Sequence, residues 1–258
     1  SGRIAMRNGQ MKDAENHMRA ALNVYKLDQD REGEVSVLLQ MSELHRLQLK
    51  LHKAEEALNL ARSIVSRLDE AGLRARVWMA LGSLHLQAMR LEKARAAYQR
   101  ALPIFRDLGR TDKEGFALMG LGEVESRDGD PNAMQTIISG AKCLVRVDSQ
   151  HGFVAAMLRL GEHGLRVGEP HLALIAGECA RRFARDDGQI LLQGQSMRII
   201  VKSLAALRES RATLVAALAR ESVAGEVQRN AVDVAEYYRR RAPKQILAEL
   251  DALTATEL

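Results

Sequence analysis

The chain has 258 residues, 47% of them hydrophobic, 28% charged and only 3% aromatic, with 4 prolines and 2 cysteines. Its 38 Lys and Arg face 33 Asp and Glu, a net charge of +5 scattered along the chain, and this mild basicity with so few stacking rings argues against a direct nucleic-acid surface. No stretch approaches the roughly 18 to 20 apolar residues of a membrane span, no signal-like layout opens the chain, and Cys143 and Cys179 show neither CxxC nor cysteine–histidine spacing. No membrane, metal or cofactor is therefore expected, and a reducing, cytoplasmic setting is.

The first predicted element is a helix over about 12–27 that carries Ala14 and Ala21 on one face. It reads as the second helix of a repeat whose first helix is only partly present. In the next repeat, Leu38, Met41, Ser42 and His45 mark a first helix and Leu51, Ala54, Leu58 and Ala61 a second. The third is the most regular: Trp78, Leu81, Leu84, His85 and Ala88, then Ala94, Ala97, Tyr98, Ala101, Leu102 and Phe105, closed by Gly109 as a left-handed cap. Pro103 falls inside that second helix and is expected to bend it or remove one backbone bond. The fourth repeat has Leu118, Leu121, Gly122 and Val124, then Gly129, with Asp130-Pro131 as a helix-start signal. The fifth contains Gly161, Gly164, Gly168 and Gly177, which predicts the weakest helix pair. A sixth, around Met197 and Ala212, is blurred. After about residue 222 the period is lost, and the pattern predicts a long helix over 223–241, an interruption at Pro243 and a short helix over 244–253.

One regularity ties these elements together. Ala14, Ala54, Ala94, Met134, Ala173 and Ala212 stand at intervals of 40, 40, 40, 39 and 39, and each is followed seven residues later by another alanine. Self-similarity at that period is the signature of helix pairs that bury their apolar faces only by stacking. The expected fold is all-α, a right-handed α-solenoid of antiparallel helix pairs, with 1–222 as the array and 223–258 as its C-terminal capping helices.

The residues at those slots resemble the tetratricopeptide repeat family. Trp78, Leu81-Gly82, His85, Ala94, Tyr98 and Ala101 match its pattern in the third repeat, and Leu118, Leu121-Gly122, Gly129 and Ala141 match it in the fourth. The resemblance covers about 1–219. The family's usual repeat has 34 residues; these are longer, similar to the variant found in cell-polarity scaffolds, kinesin light chains and sensor regions of bacterial signalling ATPases and transcription activators.

That resemblance implies a concave surface lined by the first helix of each pair, and so directs attention to residues offset from the packing stripe. Five places in from the start of each first helix stand Leu39, Met79, Met119, Leu158 and Met197. Around them lie Glu43, Glu123 and Glu162, the arginines Arg46, Arg76, Arg127 and Arg166, and Phe116. The expectation is an apolar floor edged by charge, in which flexible methionines adapt to a partner and guanidiniums fork onto its carboxylates. Packing of the same residues against the neighbouring first helix is the competing reading. Members of the family that grip the acidic C-terminus of heat-shock chaperones carry Lys and Asn at slots where this chain has neither, which sets that partner aside.

Catalytic motifs are missing. No GxSxG, phosphate-binding glycine loop or nucleophile–base pair occurs, His45 and His85 fall at a helix–helix interface, and His163 and His171 lack companions at metal-ligand spacing. Arg239-Arg240-Arg241, the one dense basic patch, suits a helix C-terminus. The expected function is a non-enzymatic scaffold that takes a partner's amphipathic helix or extended peptide, with self-association through the truncated first repeat as a further possibility. The alternative is a regulatory or sensor module of a larger signalling ATPase or transcription activator.

Overall fold

In the computed structural model, residues 11–186 and 190–209 are described, and all regular structure among them is helical. Ten helices follow one another: α1 (Met11–Leu27), α2 (Arg31–Leu47), α3 (Leu51–Val65), α4 (Ala71–Gln87), α5 (Leu91–Asp107), α6 (Thr111–Asp128), α7 (Ala133–Arg146), α8 (Gln150–Val167), α9 (Pro170–Asp186) and α10 (Ile190–Glu209). Even-numbered helices are the first members of the repeats and odd-numbered ones the second. Consecutive helices pack in neighbouring pairs, as in an all-α solenoid. The chain divides into two compact units, Ser1–Arg110 and Thr111–Leu258. The predicted second helix of the sixth repeat, the capping helices of 223–258 and Arg239 to Arg241 lie outside the described residues.

Within the first unit α2 packs with α3 and α4 with α5, α1 lies against α2, and the first helices α2 and α4 also touch. The recurring alanines explain how the helices approach: Ala14, Ala54 and Ala94 are all 0% exposed. At the equally tight Gly82, a Cβ would stand 2.8 Å from the Tyr98 ring. Glycine in the Leu81-Gly82 pair thus makes room for the aromatic of the second helix. Asp30 caps α2 by accepting a hydrogen bond from the Gly33 N–H at 2.8 Å. Pro103 sits on the exposed side of α5, which continues through it from Leu91 to Asp107. The helix forgoes the one bond that residue 103 would donate.

The first helices end alike. Lys50 donates its backbone N–H to the His45 carbonyl at 2.8 Å and Arg90 to that of His85 at 2.8 Å, while Asp130 bonds Glu125 at 2.9 Å and Glu169 bonds Gly164 at 2.7 Å. Each bond closes the turn around a left-handed residue. In the second unit that residue is Gly129 or Gly168, but in the first it is Leu49 (φ 59) or Met89 (φ 57). A side chain in that region costs roughly 1 kcal/mol or more, so the first unit spends stability at two turns where the second does not.

Within the second unit α6 pairs with α7, α8 with α9 and α9 with α10, and the first helices α6, α8 and α10 touch in succession. Its core gathers Met134, Ile137, Ile138, Leu144, Val154, Met157, Ala173 and Ala180. Met134, in the slot of the alanines, is itself buried. A Cβ on Gly140 would lie 2.8 Å from the Gly115 carbonyl oxygen, so α6 and α7 meet almost backbone to backbone. The glycines of the fifth repeat serve the same end: a Cβ on Gly161 would stand 2.9 Å from Ile199, and one on Gly164 2.9 Å from the Ala173 nitrogen. Both helices of that repeat are present, α8 over Gln150–Val167 and α9 over Pro170–Asp186.

One start signal is corrected. Asp130 does not cap α7, which begins at Ala133 after a turn; Asp130 Oδ1 accepts instead from the Asn132 backbone N–H at 2.9 Å and its side-chain amide at 3.0 Å. The aspartate folds back two residues on as an Asx turn and spends its oxygen there.

Candidate functional site

Within each unit the face of interest is that of its first helices, whose side chains are expected to make an apolar floor with a charged rim. Leu39 and Met79 are half-buried, with Leu39 against the core, and Arg76 is exposed. Arg46 pairs with Glu43 at 2.7 Å on its own helix and reaches across to donate to Gln87 Oε1 on α4 at 3.0 Å. The Gln87 amide returns a bond to the Arg46 carbonyl at 3.4 Å. Arg46 and Gln87 thus tie successive first helices together at the surface.

In the second unit the floor is core. Met119 is only 6% exposed and Leu158 7%, and both belong to the hydrophobic cluster, which Phe116 also joins from its edge. A Cβ on Gly140 would stand 3.0 Å from Met119 Cγ, so the methionine lies where residue 140 has no side chain. The corresponding residues of the earlier repeats are Leu60 and Arg100, and Arg100 instead stacks over Trp78 at 4.6 Å. Met197 on α10 is 50% exposed.

The rim is corrected more sharply. Glu123 is 0% exposed, so its carboxylate is not offered to a partner; it is the hub of an ion cluster. Arg127 Nε donates to Oε1 at 2.6 Å, Arg159 approaches Oε2 at 3.4 Å and Arg166 approaches Oε1 at 3.5 Å. Arg166 also donates to Ser126 Oγ, which lies 2.7 Å from His163 Nδ1. This side-chain contact gives the buried imidazole a local role, while His171 is exposed. One repeat further on, Glu162 pairs with Arg198 at 2.7 Å. A carboxylate removed from water needs this compensation, because its desolvation is otherwise prohibitive.

Glu123, Arg127 and Arg166 are thus brought together by the fold, and Glu43 with Arg46. Arg159 and Ser126 complete the Glu123 cluster and escaped the sequence reading, as did Arg198 beside Glu162, while His163, weighed there only as a metal ligand, joins through Ser126. A signal existed: Arg159 follows Glu123 by the same 36 residues that separate Arg198 from Glu162. The pairing therefore recurs within the second unit, where it links α6 to α8 and α8 to α10.

The buried titratable groups are structural in character. Burial pushes the Cys179 thiol up to about 12, which keeps it protonated and unreactive. His45 and His85 each bury an Nδ1 that has no hydrogen-bond partner, and burial lowers the pKa of both below the ordinary 6.5. For His45, Glu15 opposes that shift while Lys53, Lys50 and Arg19 reinforce it; for His85, Arg90, Lys93 and Arg62 reinforce it against Glu55. Above about pH 7.5, a unit beyond the unfolded value of 6.5, both imidazoles are neutral, folded or unfolded, and contribute no pH dependence. As the pH falls below 6.5 the unfolded chain takes up protons first, so stability declines until the lowered folded values are passed. The urea midpoint of the first unit, followed by Trp78 fluorescence, should drop between about pH 7.5 and about pH 5.5, and His45→Phe should flatten that drop.

Among the described residues no helix is long and apolar enough to cross a membrane. No family model matches the chain, and no curated protein matches it. Among solved structures, BtubC (BKLC) from P. vanneervenii is similar over 82% of this chain and 91% of its own, at 16% sequence identity and a TM-score of 0.57. That likeness is one of fold: a chain of helices packed in neighbouring pairs.

Proposed function

We propose that this chain is a non-enzymatic scaffold of the tetratricopeptide type, holding a segment of a partner protein against the face that the first helices form within a unit. The observation that carries the reading is the side-by-side contact of first helices, α2 with α4 and α6 with α8 and α10, which sets their outward residues in rows. Those rows present Arg46, Arg76 and Met79 in the first unit and Arg159, Glu162, Arg166 and Met197 in the second. Because Met119 and Leu158 are core, the surface offered to a partner is more polar than an apolar groove, and contacts through guanidinium forks carry a larger share. The buried thiols of Cys143 and Cys179, neither of them in a disulfide, suit work in the cytoplasm.

Capture from cell extract tests the reading. The intact chain is compared with an Arg46→Glu, Arg76→Glu, Met79→Glu variant of the first helices and a Lys53→Glu, Lys93→Glu variant of the second helices, all checked for helicity. Partners should disappear with the former and persist with the latter. Identical capture by both would remove the first-helix face from consideration.

A further inference from the structure

The turns that join first to second helices differ in kind between the two units. In the second unit they read Gly129-Asp130-Pro131 and Gly168-Glu169-Pro170, with glycine in the left-handed position, an acidic residue after it and then proline. Each is a residue type favoured where a helix ends and the next begins. In the first unit the turns read Leu49-Lys50-Leu51 and Met89-Arg90-Leu91. An apolar side chain takes the left-handed place, at φ 59 and 57, and a cation stands at the helix entry with no side-chain cap. Packing within the fold does not account for the two apolar residues, since Leu49 is 74% exposed and Met89 60%. Residues that break local preferences at the same place in successive repeats mark a site whose purpose lies outside the fold.

The two tips lie together on one edge of the first unit. Arg90 donates to both oxygens of Glu55, near the start of α3, at 2.9 Å each, and just before the turns Arg46 reaches Gln87 at 3.0 Å. Leu47, also exposed, flanks the first tip. Lys50, Lys53 and Lys93 stand exposed around them, against Glu92 and against Glu56, which lies 3.3 Å from His52. The corresponding stretches of the second unit, 129–133 and 168–172, carry Asp130 and Glu169 and neither lysine nor arginine.

Leu49 and Met89 project from turns instead of lining a groove. A protein partner would need two pockets shaped to receive them, whereas the boundary of a bilayer admits protruding side chains without a matching cavity. Anionic headgroups complement the lysines, and the N-termini of α3 and α5 add their dipoles to the attraction. We propose that this edge of the first unit docks onto an anionic lipid surface, with Leu49 and Met89 entering the boundary between headgroups and acyl chains and Lys50, Lys53 and Lys93 meeting the lipid phosphates and carboxylates. Such docking needs no spanning helix, so the expectation of no membrane contact, which rested on spanning length, does not bear on it.

Co-sedimentation of the intact chain with vesicles of equal parts phosphatidylserine and phosphatidylcholine is the test. Binding should weaken as salt is raised and be at least about tenfold poorer to phosphatidylcholine alone. A Leu49→Gly, Met89→Gly variant should bind at least about tenfold less while its thermal midpoint stays level or rises, because glycine adopts the left-handed turn without strain. A Lys50→Gln, Lys53→Gln, Lys93→Gln variant should lose about tenfold or more on the anionic vesicles. No binding by the intact chain, equal binding by either variant, or equal binding to both kinds of vesicle overturns the proposal. So does a lower midpoint in the glycine variant, which would make the two side chains part of the fold's own packing. Loss from that variant of a protein captured by the intact chain, with vesicles bound by neither, would assign the tips to a protein partner and overturn it as well.

Discussion

Glu123→Gln should lower the stability of the second unit by about 3 kcal/mol, among the largest effects of any near-isosteric change in this chain. Glutamine preserves the shape and removes the charge, leaving the guanidiniums of Arg127, Arg159 and Arg166 gathered around a group that no longer neutralises them. Breaking a buried ion pair by deleting one partner costs roughly 3 to 5 kcal/mol. The lower end applies because the arginine side chains keep 28 to 40% exposure and can turn toward water. Glu43→Gln makes the contrast. That carboxylate has 44% side-chain exposure beside Arg46, and its loss should cost less than about 1 kcal/mol. Hydrogen exchange of the α6 and α8 amides reads the first effect, and the fluorescence of Trp78, the single tryptophan, reads the second from within the first unit.

Met119→Glu should be more disruptive still. Its side chain is 6% exposed in a core that includes Ile137, Ile138 and Leu144, packed where Gly140 has no side chain. An unpaired carboxylate there costs several kcal/mol, enough to leave the second unit largely unfolded near neutral pH. Met79→Glu, at the same place in the preceding repeat but half-buried on α4, should cost about 1 kcal/mol. Urea unfolding followed by circular dichroism distinguishes the two. Similar losses for both would mean that the two methionines share one environment, contrary to their burial.

This pair of methionines also marks how far the sequence could be read. The 40- and 39-residue intervals located the helix pairs, because a fixed period of small residues reports where helices must cross. They also placed Leu39, Met79, Met119, Leu158 and Met197 on matching faces. Depth was harder, since it depends on what stands opposite: Gly140 admits Met119 into the core, whereas Arg100 occupies the corresponding position of the third repeat. That difference was visible in the residues, but its consequence required knowing that α6 and α7 touch near Gly115. Glu123 illustrates the same limit. Acidic and basic residues at regular slots suggested a rim, and only the close packing of first helices turned one of them inward as a hub. The Asx turn at Asp130 was missed for a local reason, because an aspartate before proline serves a turn as well as a cap.

The decisive measurement is hydrogen exchange of the chain alone and bound to a captured partner. Binding to the first-helix face predicts slowed exchange in α2, α4, α8 and α10, with α3, α5 and α9 little changed. Protection confined to the second helices, with the first helices exchanging as they do in the free chain, would contradict it.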